Sequence, residues 1–60
     1  MNLEVRMSAL HAAIETTRND NVRYSVGAKL RELGYIDIVD FLDAQPPSEH
    51  VAEIERVLQL

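Results

Sequence analysis

The sequence predicts an all-α fold: a single small domain of four helices joined by short turns, spanning residues 1–60, with the long first helix as its spine and a homodimer as its assembly. Three observations carry that prediction. Apolar residues recur at helical spacing in each segment between turn formers. Capping residues, a glycine and a proline pair stand where helices start and stop. The first helix is apolar on two faces, more of its circumference than one neighbour can cover.

The first helix, Leu3 to Arg18, carries Leu3, Met7, Leu10, Ile14 and Thr17 on one line with alternating spacings of four and three. Opposite them lie the smaller residues Val5, Ala9, Ala12 and Thr16, a face that another backbone can approach closely. Glu4, Ser8, His11, Glu15 and Arg18 share the remaining sector, and Arg6 interrupts the apolar arc on the other side. The larger residues remove more apolar area from water, at about 25 cal/mol per Å². The seam is therefore assigned to the core of the monomer. Val5, Ala9, Ala12 and Thr16 are assigned to a symmetric dimer in which antiparallel copies of this helix cross at Ala9 and Ala12.

Asn19, Asp20 and Asn21 form the next turn, with Asn19 or Asp20 as the cap of a second helix. Over Val22 to Leu33 the alternation of Val22, Tyr24 and Val26 suits a short strand. Val22, Val26, Leu30 and Leu33, however, fall within about 80° on a helix and span the whole segment, so the helix is preferred. Gly27 weakens that helix by about 1 kcal/mol relative to alanine. Either the helix begins late, near Ser25, or two backbones pass close at Gly27.

Gly34 stands where a left-handed residue closes a helix. Asp37 then reads as the N-cap of a third helix, Ile38 to Ala44, with Asp40 in the reciprocal position and Ile36 stapled onto Phe41. In it Ile38, Val39, Phe41 and Leu42 point inward, Asp40 and Asp43 outward. Pro46 and Pro47 break the chain, and Ser48 is the natural cap of a last helix with the apolar stripe Val51, Ile54, Val57 and Leu58.

Composition limits the function. Sixty residues bury a small core. Without cysteine there is neither a disulfide framework nor a thiolate metal site, which fits a reducing compartment and a cytoplasmic protein. No segment has the ~20 apolar residues a membrane span needs. The charge is lopsided: Arg18, Arg23, Lys29 and Arg31 stand against Asp20 alone, whereas Glu32, Asp37, Asp40, Asp43, Glu49, Glu53 and Glu55 stand against Arg56 alone. The net charge of −4 disfavours sequence-blind attraction to nucleic acid or anionic lipid.

No nucleophile with its base is visible, and His11 with Glu15 supplies two metal ligands where three or four are needed. Catalysis, cofactor and metal are not expected. His50, beside Ile54 and Val57, reads as a half-buried packing residue. Tyr24 and Tyr35 suit an interface, although Tyr35 equally suits packing against the chain reversal at Gly34.

The sequence thus points to a small regulator, adaptor or inhibitor that binds another protein. Its partner site is the acidic face of the last two helices, Asp37, Asp40, Asp43, Glu49 and Glu53, or the apolar strip of the first helix. The alternative is a dimeric DNA-binding regulator of helix-turn-helix or ribbon-helix-helix type using Arg18, Arg23, Lys29 and Arg31. Lys29 lies across the apolar stripe from Arg23 and Arg31, so these cations form no single ridge.

Overall fold

The computed structural model describes residues 2–60. Among them the chain forms α1 (Leu3–Thr16), α2 (Asp20–Leu33), α3 (Ile38–Asp43) and α4 (Ser48–Leu58), with no strand. Each boundary has a local cause. Asn2 opens α1, its side-chain oxygen accepting the Val5 N–H at 2.8 Å. The helix ends at Thr16 rather than Arg18, because Thr17 takes extended backbone and its carbonyl is capped by Arg23. The Arg23 Nη2 and Nε donate to that oxygen at 2.6 and 3.1 Å.

Asn19 caps α2, its Oδ1 accepting the N–H groups of Asn21 and Val22. The helix therefore starts early, at Asp20, and runs unbroken through Val22–Val26 and Gly27. The strand pairing does not form there, and neither reason offered for Gly27 holds. No backbone passes close to it; the nearest foreign atom to a Cβ at this position is Nη1 of Arg31, at 3.3 Å. Gly27 leaves room for the Arg31 guanidinium to fold back along the helix. Gly34, at φ 103, closes α2 as the sequence predicts, with the Gly34 and Tyr35 N–H groups donating to the Arg31 and Leu30 carbonyls.

At the start of α3, Asp37 accepts the Asp40 N–H at 3.0 Å, and the Asp40 carboxylate reaches back to the Ile36 N–H at 2.9 Å. The expected staple is not made. Tyr35 takes the place of Ile36 against Phe41, its ring edge-on at 4.9 Å, and Ile36 is left 77% exposed. Val39, expected to point inward, is 60% exposed. A helix of six residues has one inward line, filled here by Ile38, Phe41 and Leu42, and Val39 lies about 100° from Ile38. At α4 the cap residue is Pro47 and Ser48 is the first helical residue. The Pro47 carbonyl accepts from His50 and Val51, while Ser48 makes no capping bond.

The core consists of Leu10, Val26, Leu30, Phe41, Val51 and Ile54, with Leu3, Met7 and Ile14 packed against it. The large-residue seam of α1 thus faces inward, as its greater apolar area requires. The spine, however, is α4 and not α1. It packs on both α2 and α1, which make little contact with each other, and α3 leans on α2. Length does not decide this. The apolar residues of α4 form one stripe between two neighbours, with Val51 and Ile54 fully buried, whereas those of α1 are divided between two faces and only Leu10 is fully buried. Among the described residues no helix is long and apolar enough to cross a membrane.

Replacing Gly27 by alanine has a definite expected sign. The nearest obstruction is the far end of a flexible side chain, so Gly27→Ala should stabilise the domain by up to about 1 kcal/mol and raise the melting temperature by no more than about 4–8 °C. Thermal unfolding followed by circular dichroism measures it. A lower melting temperature would show that the Arg31 position matters more than helix propensity.

Candidate functional site

The outer face of α1 carries a line of small residues. Val5 is 48% exposed, and Ala9, Ala12 and Thr16 are all exposed with it. Thr16 turns its hydroxyl back onto the Ala12 carbonyl at 2.8 Å, which reduces the polarity that this strip presents to water. Nothing larger than valine stands on this line, so another helix can approach it closely.

The acidic residues do not act alike. Asp37 and Asp40 each commit one oxygen to a backbone N–H at the start of α3. Glu53 is paired with Arg56 one turn on and lies 3.7 Å from Lys29 of α2. Asp43 and Glu49 are exposed, and among the described residues neither enters an ion pair. The five carboxylates thus divide into two that cap, one that joins helices and two that face water. A sequence reading assigns them all to a surface because each has a polar side chain outside the apolar stripes.

The cations are dispersed in the same way. Arg23 is bound to the last carbonyls of α1, Lys29 is half-buried between Glu32 and Glu53, and Arg31 lies along Gly27. Arg18 stands in the turn after α1. Only part of this set is available to an anionic ligand.

Two arrangements were not foreseen from the sequence. Arg6, which interrupts the apolar arc of α1, forms a two-pronged ion pair with Glu55: Nη2 to Oε1 at 2.6 Å and Nε to Oε2 at 3.0 Å. It ties α1 to α4, and the interruption itself was the signal, since a cation on the rim of a buried face needs a partner. The second arrangement is aromatic. The Tyr35 hydroxyl shares a 2.6 Å hydrogen bond with Nδ1 of His50, and the two rings stand edge to face. His50 is half-buried, as its place beside the α4 stripe implied, and Tyr35 is occupied in the fold.

An open depression of about 790 Å³ runs along the flank of α1, with Leu3, Met7 and Leu42 as its apolar part and Glu4, Ser8, His11 and Gln45 as its polar part. His11 is paired there with Glu15 at 3.1 Å. Among the described residues no three metal-ligating side chains converge. The surface offers an apolar strip, an open depression and an uneven distribution of charge. No protein-family model, curated protein or solved structure matches this chain.

The ion pairs have a pH signature. Hydrogen bonding to Arg6 holds the Glu55 carboxyl below its ordinary value of 4.5, and hydrogen bonding to Arg56 does the same for Glu53. A carboxylate whose folded value is depressed contributes stability that is present above the unfolded value and disappears as pH falls through the folded one. Stability should therefore be level near neutrality and decline below about pH 4.5. Glu55→Gln should be less stable than wild type near neutrality, with the gap closing in acid. Urea melts of both proteins across the acid range test this, and a gap that does not change with pH would show that the pair contributes through packing alone.

Proposed function

We propose that this protein is a small non-catalytic regulator, adaptor or inhibitor, cytoplasmic and homodimeric, that acts by binding another protein. The observation that carries the reading is the outer face of α1. Val5, Ala9, Ala12 and Thr16 lie in the surface while the seam behind them is packed into the core. An apolar strip left over on so small a domain usually marks an interaction surface. Two copies of α1 crossing at Ala9 and Ala12 bury it with close backbone approach and the self-complementarity of a two-fold contact. The acidic residues of α3 and α4, of which Asp43 and Glu49 enter neither a cap nor, among the described residues, an ion pair, then remain for the protein partner.

Sedimentation velocity over a range of concentrations tests the assembly. Wild type should be a dimer and Ala12→Glu a folded monomer, because the new carboxylate has no place in a helix–helix contact but full access to water in the monomer. Leu10→Ala should instead lose about 2–5 kcal/mol, as core truncations do, and unfold. Wild type that remains monomeric at high micromolar concentration would refute the dimer and leave the α1 strip to the partner.

A further inference from the structure

The corner at which the chain turns from α2 into α3 carries two large aliphatic side chains in open solvent. Ile36 is 77% and Val39 60% exposed. Neither belongs to a slack end of the chain. Gly34 and Tyr35 are hydrogen-bonded to the last turn of α2, the Tyr35 ring is packed against Phe41, the Ile36 N–H is held by Asp40 and the Asp40 N–H by Asp37. The backbone therefore presents Ile36 and Val39 in fixed positions, with most of each residue left to solvent. Burying both on a partner would gain apolar contact with little ordering cost on this side.

The surroundings state what that partner must carry. Asp37, Asp40 and Asp43 lie within the same eight residues, and between Arg31 and Arg56 the chain has no lysine or arginine. Among the described residues none of the three aspartates is in an ion pair. Asp37 and Asp40 each accept one backbone N–H with one oxygen; among the described residues their other oxygens and both of those of Asp43 accept no further hydrogen bond. Two exposed aliphatic side chains in a segment whose three aspartates enter no ion pair among the described residues complement a segment with apolar residues flanked by cations, and the negative charge repels nucleic acid and anionic lipid.

We propose that the Ile36–Val39 corner, with Asp37, Asp40 and Asp43, docks a segment of another protein in which apolar side chains are flanked by lysine or arginine. The proposal rests on the protein-binding reading and moves its acidic site from the faces of α3 and α4 at large to this corner. The apolar pair supplies the affinity, and the aspartates supply orientation and association rate.

The test is a titration of the isotope-labelled protein, followed by amide chemical shifts, with a synthetic peptide of leucine and lysine at helical spacing and with its leucine–glutamate counterpart. The lysine peptide should move the amides of residues 35–43 and the glutamate peptide should not. The double variant Ile36→Ser, Val39→Ser, whose surface positions leave the fold intact by circular dichroism, should weaken binding about tenfold or more. Asp43→Asn should keep the site but reduce the dependence of binding on salt.

Shifts spread over the carboxylates of the whole chain, undiminished binding by the double variant, or no binding at all would overturn the proposal. So would shifts of the Ile36 and Val39 amides that follow protein concentration without peptide, because the corner would then be occupied by a second copy. Lysine peptide captured on the outer face of α1 instead would remove this site while leaving the protein-binding reading standing.

Discussion

Everything else in this domain depends on the burial of one narrow stripe. Val51 and Ile54 of α4 are closed off from water on two sides, by α1 and by α2, and those two helices make little contact except through α4. The core has six buried apolar side chains, and among the described residues no second layer compensates if the stripe is lost. The arrangement also explains why α1 and α2, though longer than α4, each keep a whole face in solvent. A helix packed mainly against one central neighbour buries one line of residues, and most of the rest of its circumference is surface, even where α3 leans on the end of α2.

The polar residues follow from the same economy of contacts. A core of six buried side chains leaves many helix ends near the surface, and they are closed by whichever side chain is within reach. Arg23 closes α1, Asn19 opens α2, and Asp37 with Asp40 opens α3. Arg6 and Glu55 join the two outer edges of the α1–α4 contact, and Lys29 approaches Glu53 where α2 meets α4. No buried side-chain polar atom among the described residues lacks a partner. Charges that look like recognition groups in the linear chain therefore include several that hold the fold, which narrows the residues available to a partner.

What remains outside this framework is asymmetric. One side of α1 is small and apolar, and the α2–α3 corner combines two aliphatic residues with aspartates. These are different chemistries, the first proposed above for a like helix and the second for an unlike, cationic segment. A protein that uses both can pair with itself and still hold a second protein. The two surfaces involve separate helices, so a change in one need not disturb the other.

The sequence by itself determined the four helices and most of their ends. Spacing of apolar residues and capping chemistry act within a few residues of each other, so Gly34, Asp37, the proline pair and the inward seam Leu3, Met7, Leu10 and Ile14 were legible from the chain. Only the tertiary structure decided which helix is central, because that depends on how stripes from distant segments meet. It also decided the fate of Ile36 and Val39: a local rule stapled Ile36 to Phe41, but Tyr35 reaches the same ring and also bonds to His50 on α4. That Arg6 needs a partner was legible from its place in the apolar arc, but that the partner is Glu55 was not, since forty-nine positions separate them and helix periodicity carries no information across that distance.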